Sequence, residues 1–578
     1  MVSDMASSKI KNFFNDRWFL IPRYQRSYAW EKANVRELFS DIFEAIEAQS
    51  SHYAGTIVLS KTGKEDLYYV VDGQQRITTL IMIINVLIQY LPERGGYYYH
   101  RFYIKDDNYR LKPLERDRDF FVGLLEDGDL CPQNKGQKSL LEAYEEIKET
   151  VKRIESAKDF LRHIEKLEVM EFIEDSEGDA IRIFQTVNDR GKPLSNMEKA
   201  KSLLVYFSNR YLGKKLDAKI NDIFGEIFEI YDDIKNKGEH LGINLIKNKE
   251  FNEDNIMRYH FISFDDENYD ASASYVLSWL KSELEKLRDS ERKNKNYSKI
   301  ENFISTYTQD LRNFFLALRE IIEKADKEVN YYKIFVVLGL SATLYPLVVK
   351  LGAIGLLEAK RPGGNLSEYS FLDLIELIEV RVYKTRGTDP RAEISRYAAS
   401  LSSCPSKRDI QNIQDWLLWF NDRWMTNEEF QANIERDVYG NKALVHIFID
   451  YCEHLSNKAY TISKLKKIMT KDKPTIEHVL SQKPRFSYRS HGFRNKDELL
   501  EYEHALGNLT LLEERLNKAA QNKNSTEKVV YYDRSGFKMT KNLSSLISTS
   551  GKVKKNVIQE RTLEIAKYCK KRWWSIKV

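Results

Sequence analysis

Residues 70–80 of this 578-residue chain read Val-Val-Asp-Gly-Gln-Gln-Arg-Ile-Thr-Thr-Leu. The run before them, Leu67–Val71, is β-branched and aromatic and predicts a strand, whereas the apolar run Ile77–Leu91 predicts a buried helix. The polar segment Asp72–Arg76 therefore joins two buried elements. Polar groups cost free energy when they are buried without partners, so this segment needs either a ligand or an internal hydrogen-bonding network.

Both explanations of the Asp72–Arg76 segment remain open at the level of residue types. The N-terminus of a helix favours phosphate, arginine adds bidentate phosphate contacts, and aspartate can hold Mg²⁺. A capping network that stabilises the turn would use the same residues. No Gly-x-x-x-x-Gly-Lys-Ser/Thr motif occurs in the chain, which argues against a P-loop motor.

Strand and helix patterns alternate around this segment. We expect strands at Trp18–Pro22, Thr56–Leu59 and Val169–Ile173, a helix at Val35–Ile46, one helix or a pair at Leu140–Leu167, and a hairpin or loop at Gly95–Tyr109. Ser195 and Glu198 have the spacing of a capping box at the start of a further helix. From about residue 200 to about 450 the pattern is mostly amphipathic helix.

Composition indicates a soluble, largely helical protein of about three domains. Apolar residues make up 42% of the chain and charged residues 31%, with only 11 prolines. The four cysteines are scattered without a Cys-x-x-Cys pair, which argues against disulfides or a thiolate zinc site and fits a reducing cytoplasm. No signal peptide is evident at the N-terminus. The apolar stretch Ile334–Leu357 contains Pro346 and Lys350, so we expect two buried helices around a turn rather than a membrane span.

Charge is distributed unevenly along the chain. The formal net charge is +5, but residues 458–578 contain 27 basic and 12 acidic residues. A basic C-terminal region on an otherwise acidic protein favours a polyanionic partner such as DNA or RNA. A lysine-rich surface that is merely solvated explains the same counts.

The basic region contains a group of residues suited to phosphodiester hydrolysis. Histidine can accept a proton near neutral pH, and a divalent cation such as Mg²⁺ prefers carboxylate and amide oxygens. The spacing from His478 to Asn508 and Asn517 fits a strand–loop–strand–helix unit with a base, an orienting group and a metal ligand. Glu477 would point to the opposite side of the strand or reach the metal if the backbone bends. The alternative is that His478 caps a strand and Asn508 lies in a turn.

The chain resembles the GmrSD family at both ends. The strings Ile-Glu-His-Val-Leu (476–480) and Leu-Gly-Asn-Leu-Thr-Leu-Leu (506–512), then Leu516-Asn517 and the later Lys528, resemble its C-terminal domain, an HNH-like (ββα-metal) nuclease. The strings 21–30, 70–80 and 183–194 resemble its N-terminal domain, whose fold is similar to ParB and whose Asp-Gly-Gln-Gln-Arg motif handles nucleoside triphosphate. The family often has proline where this chain has Ser481.

The resemblance implies a role for each matching residue. In the C-terminal domain His478 would be the general base, Asn508 would orient it or the substrate, and Glu477 and Asn517 would bind Mg²⁺ or Mn²⁺, with Asn522 a weaker candidate. In the N-terminal domain the residues implied in binding nucleoside triphosphate and its Mg²⁺ are Gln25, Arg26, Asp72, Gln74, Gln75, Arg76, Asn188 and Arg190. A helix C-cap with a glycine turn explains the segment around Asn188 and Arg190 equally well.

We therefore expect a mixed α/β, mostly helical protein with a ParB-like α+β domain at 1–210, a helical middle domain at 211–450 and an HNH-like domain at 451–578. Its expected function is that of a cytoplasmic bacterial anti-phage endonuclease or nickase. It would be regulated by nucleoside triphosphate and would act on double-stranded DNA carrying, for example, glucosylated hydroxymethylcytosine or phosphorothioate linkages. The helical middle would transmit the nucleotide state or form a homodimer. The alternatives are a non-cleaving DNA-binding regulator and a nucleotide-dependent signalling protein with a degenerate nuclease fold.

Overall fold

The computed structural model describes most of the chain. The described residues are 4–23, 25–47, 53–91, 96–102, 104–105, 108–126, 128, 130–175, 180, 195–265, 268–292, 296–360, 369–483 and 486–575. The chain forms two compact units, one of residues 1–236, 253–257 and 272–315 and the other of residues 237–252, 258–271 and 316–578. The division into domains 1–210, 211–450 and 451–578 stays a prediction, because compactness does not establish which parts fold independently.

The first unit contains a six-stranded mixed sheet in the spatial order β1-β8-β3-β4-β2-β7. Its strands are β1 (Asp4–Lys9), β2 (Trp18–Leu20), β3 (Tyr53–Lys61), β4 (Leu67–Asp72), β7 (Leu111–Lys112) and β8 (Glu168–Glu174). The short strands β5 (Ile104–Lys105) and β6 (Asn108–Tyr109) pair separately. The antiparallel pair β3–β4 lies at the centre of the sheet, so the turn after β4 is held between strands on both sides.

Besides this sheet, the described part of the N-terminal half of the chain contains the following helices. They are α1 (Ile10–Phe13), α2 (Lys32–Glu47), α3 (Gln74–Ile88), α4 (Gly96–Phe102), α5 (Glu115–Leu125), α6 (Lys135–Val151), α7 (Ala157–Lys166), α8 (Asn196–Leu212), α9 (Asp217–Leu241), α10 (Glu253–Phe264) and α11 (Ala273–Glu291). Helix α3 is buried along almost its whole length, since only Arg76 among its residues is not buried. It is the central core helix, as its apolar sequence predicts.

The strands expected at Thr56–Leu59 and Val169–Ile173 are confirmed, and the strand expected at Trp18–Pro22 ends at Leu20. At Leu140–Leu167, where one helix or a pair was expected, the chain forms the pair α6 and α7, of which α6 begins earlier, at Lys135. The expectation of a hairpin or loop at Gly95–Tyr109 is wrong for its first half, which is helix α4. Tyr98 and Phe102 stack at 6.3 Å across one turn of this helix, and Phe102 is buried. The helical period, not strand alternation, therefore buries these aromatic residues.

The second unit is almost entirely helical. Helix α12 (Ser298–Lys327) begins in the first unit and ends in the second. The other described helices of the second unit are α13 (Val329–Tyr332), α14 (Tyr345–Ala353), α15 (Phe371–Ile378), α16 (Arg391–Ser400), α17 (Lys407–Trp424), α18 (Asn427–Glu435), α19 (Leu444–Ser456), α20 (Ile462–Lys467), α21 (Lys496–Glu503), α22 (Glu514–Ala520), α23 (Ser525–Tyr532), α24 (Lys538–Ser550) and α25 (Lys555–Arg572). Within the described ranges no helix is long and apolar enough to cross a membrane. The stretch Ile334–Leu357 instead forms two buried helical segments separated by Gly339, which has a φ of 72°.

One two-stranded antiparallel sheet interrupts these helices near the C-terminus. Strand β9 (Pro474–His478) pairs with β10 (Leu509–Glu513), so that His478 lies opposite Leu509. Helix α22 follows β10 without an intervening loop. A separate apolar core, which includes Leu480, Leu512 and Tyr532, packs around this hairpin. The strand–loop–strand–helix order expected from the spacing is therefore present.

Candidate functional site

The N-terminal polar segment lies at a tight turn between β4 and α3. Asp72 ends the strand, Gly73 has a φ of 90°, and Gln74 begins the helix. A Cβ atom on Gly73 would lie 3.0 Å from the Ile57 side chain on the neighbouring strand. Glycine is required because the turn combines a left-handed backbone with close packing.

The glutamines of this segment bind the neighbouring backbone. The Gln25 side chain donates to the carbonyl of Val71 at 2.8 Å, and Gln74 donates to Gln25 Oε1 at 3.0 Å. Gln75 Oε1 accepts from the backbone N–H of Ala29 at 2.8 Å. The network therefore holds the 21–30 segment against the turn. A hydrogen-bonding network of this kind is one of the two explanations of the segment that residue types alone left open.

The charged residues converge at the same turn. Arg76 donates to the carbonyl of Thr56 at 3.0 Å, and Arg26 Nε lies 3.9 Å from Glu198 Oε1. Burial raises the pKa of the Asp72 carboxyl to about 6, and Glu198 adds to the rise while Arg76 and Arg26 oppose it. Asp72, Glu198, Arg26 and Arg76 therefore form one charge cluster, the junction cluster.

The starts of helices α8 and α10 contribute carboxylates to the surroundings of the junction cluster. Glu198 belongs to the predicted capping box, which is present, and its carboxylate accepts from the Ser195 N–H at 2.8 Å. Asp254 accepts from the N–H of Met197 at 2.8 Å. Burial raises the pKa of Glu253, as do the neighbouring Glu198 and Asp254. Sequence reasoning identified Glu198 only as a capping residue and missed Glu253.

The junction cluster suits a nucleotide with its bound Mg²⁺. Carboxylates crowded together and away from water are stabilised by a cation, and their oxygens are ligands that Mg²⁺ prefers. Arginine suits phosphate oxygens. Among the described residues no group of three or more His, Cys, Asp and Glu side chains is placed to hold a metal alone. Nucleotide-bound Mg²⁺ needs only one or two carboxylates besides phosphate and water. Asn188 and Arg190 lie outside the described residues.

In the C-terminal part of the chain, Asn508 joins the two ends of the hairpin. Its Oδ1 accepts from the Leu480 N–H at 2.8 Å, and its Nδ2 donates to the carbonyl of Glu503 at 2.7 Å. It is 1% exposed and lies in the 3₁₀ turn directly before β10. Asn508 therefore positions the segment that follows His478, and it lies in a turn as the alternative interpretation expected.

His478 lies at the end of β9 in contact with a second histidine. Its Nε2 is 3.0 Å from His504 Nδ1, and the ring of Tyr439 lies against both imidazoles. Burial lowers the pKa of His478 to about 4, with His504 and Lys528 lowering it further and Asp437 opposing them. The imidazole is therefore neutral at pH 7, which is the form that accepts a proton.

Glu477 and Asn517 lie on the opposite face of β9 from His478. Lys528 Nζ is 2.6 Å from Glu477 Oε1 and donates to the His478 carbonyl, also at 2.6 Å. Asn517 Nδ2 donates to Thr475 Oγ1, on the same strand face as Glu477, at 2.9 Å. A carboxylate and an amide oxygen suit Mg²⁺ with retained waters, but the Lys528 ammonium occupies the position beside Glu477 that a cation would take.

Sequence reasoning missed the other residues around His478. His504 is four residues before Asn508 in the string His-Ala-Leu-Gly-Asn, where a second histidine near the motif was the available signal. Asp437 and Tyr439 carry no local signal, since they reach the site only because residue 437 pairs with residue 505. Asn522, the weaker metal candidate, accepts from the Ser481 hydroxyl at 3.1 Å.

Two family models match the chain. Residues 8–205 match the N-terminal domain of the GmrSD restriction endonuclease, and residues 424–568 match the C-terminal domain of GmrSD restriction endonucleases. The first match contains Gln25 and the whole junction cluster, and the second match contains His478, His504 and Lys528. Comparison with curated proteins returned no match. Because the two matches together cover more than half of its residues, the chain belongs to the GmrSD restriction endonuclease family, whose members are DNA endonucleases of phage defence.

Proposed function

We propose that the chain hydrolyses DNA phosphodiester bonds at the β9–β10 hairpin, in an HNH-like arrangement with His478 as general base. The observation that carries this proposal is a neutral histidine at the end of a strand in a strand–loop–strand–helix unit, with a carboxylate and an amide on the other strand face. His478 Nε2 contacts His504, and Nδ1 has no hydrogen-bond partner among the described residues. In the tautomer whose Nε2–H donates to His504, Nδ1 carries the lone pair that takes the proton from the attacking water.

The remaining residues of the hairpin orient this base and its substrate. Asn508 fixes the backbone after His478, and the stacked pair Tyr439–His504 holds the imidazole in one orientation. A divalent metal ion such as Mg²⁺ or Mn²⁺ would neutralise charge on the scissile phosphate and the leaving oxygen. Glu477 and Asn517 would hold it only if Lys528 left its place beside Glu477. The excess of lysine and arginine after residue 458 would hold the duplex through its phosphates.

The junction cluster supplies the proposed nucleotide control. Arg26 and Arg76 would bind phosphate oxygens, and Asp72 with Glu198 would bind Mg²⁺ of a nucleoside triphosphate. Because Asp72 joins the central strand β4 to the buried helix α3, a ligand there acts on the core of its unit. ParB-like folding of this unit, recognition of modified phage DNA, hydrolysis of the nucleotide and homodimer formation belong to the same proposal.

Cleavage of defined DNA tests the proposal directly. The full chain would be incubated with plasmid, unmodified phage DNA, glucosylated-hydroxymethylcytosine phage DNA and phosphorothioate DNA, with Mg²⁺ or Mn²⁺ and with or without nucleoside triphosphate. Replacement His478→Ala is expected to abolish cutting and nicking. His491→Ala is the matched control, because both histidines are 7% exposed and His491 lies elsewhere in the same unit.

The outcomes separate the proposal from its alternatives. Metal-dependent cutting that His491→Ala keeps and His478→Ala loses supports the nuclease, and the DNA that is cut identifies the modification. Salt-sensitive DNA binding with no cutting of any substrate would instead support the non-cleaving regulator. Nucleotide hydrolysis that responds to RNA and not to DNA would support the signalling protein.

A further inference from the structure

A cavity of about 800 Å³ lies in the second unit, away from the hairpin residues, and is lined by helices α16 and α17 and by Tyr269. Its lining combines aromatic with charged side chains, chiefly Tyr269, Arg391, Arg396, Tyr397, Trp416 and Trp424. Ligand sites in proteins have this size and this mixture of aromatic walls with a few polar groups. We call it the aromatic cavity.

A stack of parallel rings forms one wall of the aromatic cavity. Tyr397 and Trp416 lie face to face, with 3.5 Å between ring centroids and 4° between ring planes. Trp416 in turn stacks on Phe420 at 5.2 Å and 23°. Phe420 is buried, whereas Tyr397 is partly exposed at the cavity. A flat ring entering the cavity would therefore extend this stack on Tyr397.

The polar groups of the aromatic cavity are arranged around that wall. Glu393 Oε2 accepts from the indole N–H of Trp424 at 2.8 Å, and Glu393 Oε1 lies 3.5 Å from Arg423 Nε. Arg391 is paired with Asp270 at 2.9 Å and with Asp389 at 3.1 Å. Acceptors and donors are thus both present, as the edges of a heterocyclic base require.

Arg396 differs from the other charged residues of the cavity. Its guanidinium lies over the ring of Tyr269 at 5.7 Å, and no carboxylate among the described residues pairs with it. An exposed arginine held on an aromatic ring at the mouth of a cavity is suited to a phosphate group. It provides the anion contact that the base-stacking wall lacks.

We infer that the aromatic cavity binds one unstacked nucleotide of the DNA, with its base on the Tyr397–Trp416 wall and its phosphate at Arg396. Aromatic rings bind every base through its π-face, and the cavity volume accommodates a whole nucleotide. Arg391 is neutralised by its carboxylates, so the cavity does not select an acidic or basic peptide through an excess of charge. The inference rests on the proposed function only in that the ligand is DNA.

Binding of a short single strand tests the inference without any cleavage. The full chain carrying His478→Ala, in EDTA, would be titrated with a fluorescent tetradeoxyadenylate and with duplexes that contain or lack one mismatch. Arg396→Ala and Tyr397→Leu are each expected to weaken tetranucleotide binding by about tenfold. The chain with an intact cavity should bind the mismatched duplex more tightly than the matched one, because a mismatched base leaves the stack more readily. Both replacements should remove this preference.

Trp419→Leu is the matched control, because Trp419 is 46% exposed on the same helix as Trp416 but does not line the cavity. Binding that Trp419→Leu leaves intact and Arg396→Ala weakens supports the inference. Unchanged binding in both cavity variants, or equal weakening by Trp419→Leu, overturns the inference. In that case, metal-dependent cutting by the chain with His478 intact would still support the proposed nuclease. Circular dichroism monitors folding, and Arg396→Ala, an exposed residue, provides the decisive comparison if Tyr397→Leu does not fold.

Discussion

Replacing Lys528 with methionine should destabilise the β9–β10 hairpin strongly. The Lys528 ammonium and the Glu477 carboxylate are 2.6 Å apart, and their side chains are only 1% and 7% exposed. Lys528 also donates to the backbone carbonyl of His478. Methionine keeps the length of the side chain, so the replacement removes the charge and the donor while changing the packing little.

The expected loss follows from the burial of the partner that remains. Removing one member of a buried ion pair costs about 3–5 kcal/mol, because the other charge is left unpaired away from water. The pair Lys518–Glu514 has the same 2.6 Å separation, but its side chains are 75% and 40% exposed. Exposed pairs contribute about 0–1 kcal/mol, so Lys518→Met is the matched control.

The pH dependence of this loss has a definite sign. Burial already raises the pKa of Glu477 although Lys528 opposes the rise. Without Lys528 the folded pKa rises further, so the native variant binds a proton that the unfolded chain releases above about pH 4.3. Stability of the variant therefore falls as pH rises through the interval between the unfolded and folded values. The loss should be larger at pH 8 than at pH 5.

Hydrogen exchange followed by mass spectrometry in EDTA reports on β9 and β10 separately from the other unit. A loss of about 3 kcal/mol corresponds to exchange that is faster on the order of 100-fold. Adding Glu477→Gln to Lys528→Met should recover part of the protection, because the buried charge is removed. Protection that falls no further in Lys528→Met than in Lys518→Met would show that the buried Lys528–Glu477 pair contributes no more to stability than an exposed pair.

Three further changes probe the two candidate sites. In Gly507→Ala the new Cβ would lie 2.1 Å from the backbone carbonyl of Ile558, so we expect a loss of about 3 kcal/mol in β10 protection and reduced cleavage, and unchanged protection would contradict this close packing. Binding of Mg²⁺ and nucleotide should weaken below about pH 6, because Asp72, whose pKa is raised to about 6, takes up a proton there. The variant Asp72→Asn should bind the nucleotide weakly and with little pH dependence. Calorimetric titrations at about pH 5.5 and about pH 8 measure both effects. Gly55 has a φ of 106°, and in Gly55→Ala the new Cβ would lie 2.6 Å from the guanidinium of Arg76. Nucleotide binding should therefore be lost. Adding Arg76→Ala should improve the thermal stability of this variant without restoring binding.

Much of the local structure around both sites was predictable. The change from strand to helix at Asp72–Gln74 follows from an apolar β-branched run, a glycine and an apolar helical run, all close together in the chain. The same holds for β9, β10 and α22, whose order matches the spacing of the motif residues. Patterns of this kind depend on neighbours within a few residues, which the chain itself displays.

The partners of the motif residues were not predictable in the same way. Glu477 was expected as a metal ligand, yet whether its carboxylate faces water, a metal or a lysine depends on helix α23. That helix brings Lys528, which is 51 residues later in the chain, beside Glu477. His478 was expected as a base, yet its neutral state depends on His504 and on burial beneath Tyr439. The metal and nucleotide roles stay predictions.

The strand-to-helix turn at Gly73, the strand–loop–strand–helix order after residue 474 and membership of the family are all readable from the order of residues along the chain. Three features instead depend on how the chain folds: Glu198 joins Asp72, Lys528 neutralises Glu477, and Tyr397 and Trp416 form the wall of a cavity. The two groups of features differ in the range, along the chain, of the interactions that produce them. Backbone preferences and periodic burial act over a few residues, whereas charge pairing, desolvation and ring stacking act between side chains that folding alone brings together.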